Sequence, residues 1–522
     1  MIKKGKSLRL LERISSPRLI LAFLCLIVLA SVPCNRSERA RLSESSVTVG
    51  YYGDERVFLQ DYWDMGAEHL IFLPLANEDE KGEPLPVLAE RWEHSEDYRE
   101  WTYFLRKDVR WHDGVPVTAH DIKFTLDLRN DRRVLSGRIS FLSVEVLDDF
   151  TLTVTHKRPI GLDLWTVYYP KHLLEDLDPK ELFEWEFWKQ PVGNGPYRYV
   201  RHMPKTMVEV EANPDYYRGK PKIERVILKF LQAPSLVELL SGNVDALWGV
   251  DRNMLLMLSG DDRFRSYHDW GYYFHAIYWN HRHPLFQSPK IRKALTMAIN
   301  RRELAGVLNY PEGVPILDAI TTDRQFRQGL YPEPLPYNPE RARKMLEEEG
   351  WRDIDGDGVR ERDGEEFSFT AIVNEEEEKI AIYVQDQFRR IGVLMEIQTL
   401  NIGPVRQYLK SGDFDAMIFN IQNSTNQPNF GHVRMYGEDS PFGYVNSEMI
   451  RLLNVAKDTI DLDKLDRIYQ EIMPIFAEDM PITLVLPSVF TSVVHRRIKG
   501  LSSPFWARPV VYMEHLWIEE EE

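Results

Sequence analysis

The alternation of predicted helices and strands over residues 337–420 constrains the fold of this chain more than any other feature. Segments with the apolar spacing of helices, such as "IAIYVQDQFRRIG", alternate with short apolar runs such as "FSFTAIV" and "VLMEIQTL". Strands that alternate with helices in this way form parallel sheets covered by helices. The second half of the chain is therefore predicted to contain an α/β unit.

A second ordered passage, residues 101–124, predicts a strand, a turn and the start of a helix. Trp101, Tyr103 and Leu105 alternate with Thr102, Phe104 and Arg106, and a period of two over aromatic and β-branched residues is typical of a strand. Gly114 supplies the turn, and Thr118 with Asp121 three positions later has the spacing of a helix N-cap. None of these residues is placed for catalysis, so the passage is interpreted as a structural module.

The charge balance limits the partners that this chain can have. Lys and Arg number 65 against 81 Asp and Glu, which gives a formal net charge of −16 over 522 residues. Such a chain repels nucleic acid and anionic membranes, so we expect neither as a partner. Cys25 and Cys34 both lie in or beside an apolar segment near the N-terminus, so the rest of the chain has no disulfide and no thiolate chemistry.

The N-terminus has the pattern of an export signal. Several basic residues precede the apolar run "LILAFLCLIVLASVP", which is too short for a comfortable transmembrane helix. Cys34 resembles the lipidated cysteine of bacterial lipoproteins, although Pro33 and Ser31 fit that signal poorly. Cleavage after Ala30 or Ser31, and an uncleaved anchor, remain alternatives. Residues 35–46 are polar and predict a flexible tether.

Ordered motifs along the chain resemble those of the bacterial extracellular solute-binding proteins of family 5, the peptide- and nickel-binding components of ABC importers. The passage "WTYFLRKDVRWHDGVPVTAHDIKF" is similar to the most recognisable segment of that family. The segments that follow it in the family's order are "VGNGPYRY", "NPDYYRGKPKIERV", "SGNVDAL", "IRKALTMAINRREL" and "YNPERARKMLEEEGW". The resemblance extends from about residue 47 to the C-terminus.

The resemblance implies an α/β fold, the two-lobed, hinge-linked periplasmic binding protein type II fold with an extra α+β subdomain. The expected boundaries are 47–85, 193–280 and 497–522 for lobe one, 86–192 for the subdomain and 281–496 for lobe two. It also implies a monomer without a cofactor and without enzymatic activity.

The implied function is capture of a peptide or similar small solute in the inter-lobe cleft and its delivery to ABC permease subunits. The expected location is the periplasm or cell envelope, with membrane contact only through a lipid anchor on Cys34. The residues themselves leave two alternatives open: a secreted hydrolase acting on peptides or carbohydrates, and a ligand sensor without a transport role.

The candidate ligand-binding residues are polar and aromatic groups at predicted strand ends. Peptide-binding relatives carry an Asp that pairs with the peptide α-amino group in the loop corresponding to "FNIQNSTNQPNF", and Ser424 stands at that position here. A hydroxyl or an amide cannot supply that charge-assisted contact. The residues expected to contact ligand, each with core packing as its alternative, are Tyr51, Tyr278, Trp279, Asn280, Phe419, Asn423, Ser424 and Asn426.

The segment "DIDGDGVRERDG" partly matches a calcium-binding loop. Asp353, Asp355 and Asp357 with Gly358 have the spacing of the first half of an EF-hand loop. Gly364 occupies the twelfth position, where an EF-hand has a bidentate Glu. We therefore predict no metal site and expect a solvated acidic turn, with a weak Ca²⁺ site as the alternative.

Three other motifs predict structure rather than chemistry. "VGNGPY" lacks the third Gly and the following helix of a dinucleotide-binding loop. His112 and His120 lack metal-binding partners, so surface or capping roles are expected. "NEEEEK" is interpreted as a solvated charge run.

Overall fold

The computed structural model describes residues 45–51, 67–79, 83–130, 141–164, 166–422, 424–425, 430–501 and 513–519. Its strands, in chain order, are β1 (Ser46–Tyr51), β2 (Ala76–Glu78), β3 (Pro84–Pro86), β4 (Ala89–His94), β5 (Glu100–Leu105), β6 (Phe141–Asp148), β7 (Thr151–His156), β8 (Tyr197–Met203), β9 (Met207–Ala212), β10 (Arg225–Phe230), β11 (Ala246–Trp248), β12 (Phe264–Trp279), β13 (Thr321–Thr322), β14 (Glu361–Arg362), β15 (Glu365–Glu366), β16 (Ser368–Asn374), β17 (Leu394–Leu400), β18 (Ala416–Gln422), β19 (Ser424–Thr425), β20 (Ile482–His495), β21 (Ile498–Lys499) and β22 (Trp517–Ile518).

The α-helices are α1 (Ala119–Asn130), α2 (Lys171–Leu174), α3 (Leu236–Leu240), α4 (Arg252–Met257), α5 (Pro289–Ala298), α6 (Arg301–Val307), α7 (Asp323–Gln328), α8 (Pro339–Glu348), α9 (Glu378–Arg389), α10 (Ile402–Ser411), α11 (Phe430–Tyr436), α12 (Ser447–Lys457) and α13 (Leu462–Asp479). The 3-10 helices are Ala67–Leu70, Pro179–Glu184, Glu186–Lys189, Pro284–Phe286, Glu375–Glu377 and Met513–His515. The predicted export signal and Cys34 lie outside the described residues. Within the described part of the chain, no helix combines the length and the apolar character that crossing a bilayer requires.

One ten-stranded sheet runs through the structure in the order β17-β16-β18-β12-β20-β11-β1-β10-β9-β8. Near one end β16 pairs in parallel with β17 and β18, and nearer the other end β1 pairs in parallel with β10 and β11. The predicted alternation is confirmed, because β16, α9, β17, α10 and β18 follow one another along the chain. A separate four-stranded antiparallel sheet has the order β4-β5-β7-β6.

Strands β12 and β20 connect the two parallel groups. β12 has 16 residues and β20 has 14, so at about 3.3 Å per residue each spans roughly 45–50 Å. Their pairing is interrupted between the pair Trp270–Val489 and the pair Phe274–Pro487. Three residues of β12 therefore face one of β20, and Pro487 has no N–H to give to the ladder. We call this interruption, residues 271–273 and Ser488, the crossing point.

Buried side chains cover both faces of the sheet on the β16 side of the crossing point. Phe274 and Tyr278 of β12 belong to one hydrophobic core, and Ile277 between them belongs to another on the opposite face. Ile372 and Val373 of the parallel strand β16 are divided between the same two cores, and burial of both faces is what parallel strands flanked by helices require.

A third core lies on the β1 side of the crossing point. It joins Val49 of β1 with Tyr103 of β5, although β5 belongs to the separate four-stranded sheet. The residues of the expected subdomain and of expected lobe one thus share one core, and their boundaries stay predictions.

The strand and helix predicted within residues 101–124 are both present. β5 buries every second residue, and α1 begins at Ala119. The Thr118 N–H donates a 2.8 Å hydrogen bond to Asp121 Oδ2, which is the acidic half of a capping arrangement. His120 is exposed, as predicted, with Nε2 3.6 Å from a carboxylate oxygen of Asp149.

The turn Gly193-Asn194-Gly195 packs directly on the backbone of Ile71. The N–H groups of Asn194 and Gly195 donate to the Ile71 carbonyl at 2.9 and 2.6 Å. A Cβ atom on Gly193 would lie 2.0 Å from the same carbonyl oxygen. The motif "VGNGPY" therefore needs glycine for a close backbone approach at the entry to β8.

His112 caps this turn. Its backbone N–H donates to the Gly193 carbonyl at 2.7 Å, and its Nδ1 accepts from the Gly193 N–H at 3.2 Å. Its Nε2 lies 3.1 Å from the Gly195 carbonyl oxygen, to which it can donate. Burial lowers the pKa of His112 to about 4, so the ring is neutral at pH 7. The expected capping role holds, but the cap is on a turn and the ring is half-buried.

Replacing Gly193 with Ala should destabilise the protein by about 2–3 kcal/mol, because the new methyl group would displace the Ile71 backbone. Urea unfolding of the variant and the wild type measures this difference. Gly306→Ala is the matched control: Gly306 lies in α6, and its Cβ position has no atom within 4 Å. That change should leave stability unchanged or raise it by up to about 1 kcal/mol. Equal stability of the two variants would contradict the role given to Gly193.

The neutral His112 ring should make stability depend on pH. Its folded pKa is about 4 and its ordinary pKa is 6.5, so between these values the unfolded state binds more protons. Stability should therefore fall as pH drops from 6.5 toward 4, by roughly 2 kcal/mol from this residue. His112→Gln should reduce the difference in unfolding free energy between pH 7.0 and 4.5 by that amount. An unchanged difference would mean that His112 titrates normally in the fold.

Candidate ligand-binding site

The carboxyl ends of the parallel strands lead to the crossing point. Tyr51 of β1 pairs with Phe230 of β10, and the β1–β11 register places Trp248 beside Tyr51. Trp248 in turn pairs with Ser492 of β20, four residues beyond Ser488. Open α/β sheets bind ligands outside the carboxyl ends of their strands. This edge of the sheet is therefore the candidate site.

Aromatic side chains line this edge on one face of the sheet. Phe230 and Trp248 are half-buried against the core that contains Val49. Phe490 lies two residues before Ser492 on β20 and so shares their face, yet 49% of its surface is exposed. An exposed ring beside half-buried rings offers an apolar surface to a bound molecule.

The strands of the other parallel group end at the same place. β16, β17 and β18 end at Asn374, Leu400 and Gln422. Gln422 pairs with Tyr273, which lies within the crossing point and is exposed. Both parallel groups thus direct their carboxyl ends at one point from opposite sides.

Four consecutive glutamates follow β16 at this edge. Glu375, Glu376 and Glu378 are exposed, as predicted for a solvated charge run. Glu377 departs from that prediction, because only 1% of its surface is exposed. The edge is therefore acidic, and one of its carboxylates points inward.

Glu377 ends a chain of three hydrogen-bonded side chains. Its Oε2 lies 2.6 Å from His275 Nδ1, and His275 Nε2 lies 2.9 Å from the hydroxyl of Tyr310. Burial and the nearby charge of Glu377 raise the pKa of Tyr310, so this hydroxyl keeps its proton. In the tautomer that satisfies all three groups, Tyr310 donates to His275 and His275 donates to Glu377. These two hydrogen bonds fix the position of the His275 ring, and His275 is the second β12 residue after the crossing point.

Three of the predicted ligand-binding residues lie at the end of β12 or directly after it and are buried. The indole N–H of Trp279 donates to Thr483 Oγ1 at 3.1 Å, and the hydroxyl of Tyr278 donates to the Asn420 carbonyl at 3.2 Å. The side chain of Asn280 donates to the Phe414 carbonyl. In this structure each polar group already has a protein partner. A ligand contact for these three stays a prediction.

Phe419, Tyr51 and Ser424 lie nearer the crossing point. Phe419 is half-buried and pairs with Ala276 of β12. The backbone of Tyr51 ends β1 beside Phe230 and Trp248. The backbone of Ser424 lies in β19. Asn423 and Asn426 lie outside the described residues. Their contacts with a ligand also stay predictions.

The site residues that the sequence did not reveal are Phe230, Trp248, His275, Glu377 and Phe490. Phe230 and Trp248 each end a strand, so a rule that selects aromatic residues at strand ends would have found both. Phe490 could not be found without the register of β20, which alone puts it on the same face as Trp248.

The acidic loop over residues 353–361 brings four carboxylates together. Oxygens of Asp353, Asp355, Asp357 and Glu361 all lie within 4.8 Å of one another. The three aspartates also accept backbone N–H groups of the loop at 2.7–3.1 Å. Such bonds suit a solvated acidic turn, while the oxygen cluster suits a hard cation, so both interpretations remain.

A surface pocket of about 520 Å³ lies at the opposite end of these strands. Thr370 near the amino end of β16, Asp415 before β18 and Arg282 after β12 line it. The rule on strand carboxyl ends does not apply there, so its size alone does not make it the candidate site.

The chain matches known proteins over most of its length. The sequence model described as "Bacterial extracellular solute-binding proteins, family 5 Middle" matches residues 83–441. The chain is 27% identical over 465 residues to the oligopeptide-binding protein AppA of Bacillus subtilis, covering 84% of this chain and 85% of that protein. It is 23% identical over 463 residues to heme-binding protein A of Haemophilus influenzae, covering 80% and 82%.

The fold also matches a solved structure. AppA of Bacillus subtilis in complex with a nonapeptide has a TM-score of 0.62 to this chain at 25% identity. The match covers 91% of this chain and 99% of that structure. The predicted two-lobed solute-binding architecture is confirmed.

Proposed function

The chain belongs to the bacterial extracellular solute-binding proteins of family 5, and on that premise we propose that it captures an oligopeptide and delivers it to the permease of an ABC importer. The observation that carries the proposal is the convergence of strand carboxyl ends and aromatic side chains at the crossing point of β12 and β20. AppA, named as an oligopeptide-binding protein and similar over 84% of this chain, supports peptide as the ligand class.

Capture proceeds without chemistry in this proposal. A ligand that contacts both lobes stabilises the closed form by its differential affinity for that form. Shifting an equilibrium from 1:99 to 99:1 takes about 5.5 kcal/mol of such preference. The interrupted pairing at the crossing point supplies the hinge, because few backbone hydrogen bonds have to change there.

The predicted ligand-contacting side chains suit a peptide whose α-amino group is bound without a carboxylate partner. Asn423, Ser424 and Asn426 can bond amides and hydroxyls but carry no carboxylate. The rings of Phe230, Trp248 and Phe490 would pack on peptide side chains. The exposed glutamates after β16 disfavour an anionic ligand, so we place neutral and basic peptides ahead of acidic ones.

We propose that the protein acts in the periplasm or cell envelope. The apolar run before Cys34 fits an export signal, and lipidation of Cys34 would hold the protein at the membrane without a spanning helix. We propose that it acts as a monomer with separate permease and ATPase subunits. A secreted hydrolase and a sensor without transport are the rivals.

Binding without turnover is the expected behaviour of the purified protein. After removal of co-purifying molecules, titration calorimetry with nonapeptides should give saturable binding that is weaker for Glu-rich than for Lys-rich members. Mass spectrometry after prolonged incubation should recover the peptides intact. Cleaved peptides would favour the hydrolase, and the absence of binding across the library would reject peptide as the ligand class.

Phe490→Ala should raise the Kd for a bound peptide about tenfold, because it removes one aromatic contact worth about 1.4 kcal/mol. The ring is half exposed, so the melting temperature should hardly change. Trp517→Ala is the matched control: Trp517 is 39% exposed on β22, which pairs with β21 in a separate two-stranded sheet and not with the strands at the crossing point. If the two variants bind the peptide with equal affinity, Phe490 does not belong to the ligand-binding site.

A further inference from the structure

Arg324 of α7 is surrounded by carboxylates from two parts of the molecule. Its Nε donates to Asp466 Oδ2 at 2.7 Å, and its Nη2 donates to Asp463 Oδ1 at 2.6 Å. Its Nη1 lies 3.7 Å from Oε1 of Glu83. Arg324 and the two aspartates belong to expected lobe two, whereas Glu83 belongs to expected lobe one. One guanidinium therefore contacts both lobes.

Glu83 is presented by a short antiparallel hairpin formed by β2 and β3. The Glu83 N–H donates to Asp79 Oδ1 at 2.9 Å, and the Asp79 N–H donates to the Glu83 carbonyl at the same distance. These bonds fix the backbone of Glu83 while 52% of its side chain stays exposed. The carboxylate can therefore meet or leave Arg324 without any change in its own strand pairing.

Arg324 is linked to the loop that carries the predicted ligand-reading residues. Thr321 and Thr322 form β13, which pairs in parallel with Ser424 and Thr425 of β19. The Thr322 hydroxyl accepts the Gln325 N–H and so caps α7, two residues before Arg324. A shift of Ser424 on ligand binding would therefore be transmitted through β13 to α7.

We propose that Glu83 and Arg324 are positioning residues that form an ionic clasp between the lobes and slow the release of bound ligand. The inference rests on the proposed function, since only a captured ligand gives the clasp something to retain. Asp463 and Asp466 hold Arg324 in place. The Glu83 carboxylate forms its ion pair with Arg324 when the lobes close and loses it when they open. Because Glu83 is half exposed, the pair is modest in strength and sensitive to salt.

Dissociation of a bound nonapeptide from the full chain tests the clasp. In 20 mM salt, Glu83→Gln should raise the dissociation rate constant about two- to fivefold and leave the association rate constant within twofold. The wild-type dissociation rate should rise with salt, whereas that of Glu83→Gln should change much less. Glu145→Gln removes the same charge from an exposed position on β6 and should behave as the wild type. Equal dissociation rates for the two variants would overturn the clasp.

A measurement without ligand separates failure of the clasp from failure of the proposed function. Dyes on cysteines introduced at the exposed residues Val237 and Val455, one on each expected lobe, report the inter-lobe distance once Cys25 and Cys34 are replaced by serine. At low salt, Glu83→Gln should shift the ligand-free population toward longer distances, and Glu145→Gln should not. Identical distributions would overturn the clasp even if no peptide binds. A shifted distribution together with no peptide binding would instead reject the proposed ligand.

Discussion

The pairing of β12 with β20 is the interaction on which the rest of this structure depends. Two parallel groups of strands, each with its own helices and cores, form one sheet because these two antiparallel strands belong to both. The ladder shifts by one residue between His275 and Ala276, and its larger interruption is at the crossing point, where three residues face one and the neighbouring Pro487 supplies no donor. A continuous ladder would make the sheet one rigid body, and a broken chain would leave two independent domains. The interrupted ladder joins the two groups and leaves a place that can serve as the proposed hinge.

The position of the candidate site follows from this arrangement. Parallel strands must bury both faces, so their side chains are mostly committed to cores, as Ile372 and Val373 are on opposite faces of β16. Groups that remain available lie where strands end, and both parallel groups end at the crossing point. A molecule bound there meets strand ends, loops and aromatic rings from both sides. The proposed hinge and the candidate ligand site therefore coincide.

The sequence predicts periodic and local features well because each depends on neighbours along the chain. The α/β alternation, the strand before Gly114 and the capping pair at Thr118 are of this kind. Register is not local: nothing near Phe490 reveals that it shares a face with Trp248, and nothing in "NEEEEK" distinguishes buried Glu377 from its exposed neighbours. Trp279 and Asn280 have residue types that suit a ligand contact at a strand end. The end of β12 nevertheless lies past the crossing point, in the core, where their side chains donate to Thr483 and to the Phe414 carbonyl.

The strength of the inter-lobe contacts decides whether such a molecule can respond to its ligand. An exposed ion pair such as Glu83–Arg324 contributes at most about 1 kcal/mol, whereas moving the lobes from mostly open to mostly closed takes about 5.5 kcal/mol. The clasp alone cannot close the protein, so most of the preference must come from the ligand. A stronger, buried pair such as Arg301–Asp318, with both side chains almost fully buried, would hold the lobes shut with the cleft empty if it lay between them. Instead that pair lies within expected lobe two, and the Glu83–Arg324 pair, which joins the two expected lobes, is half exposed and weak.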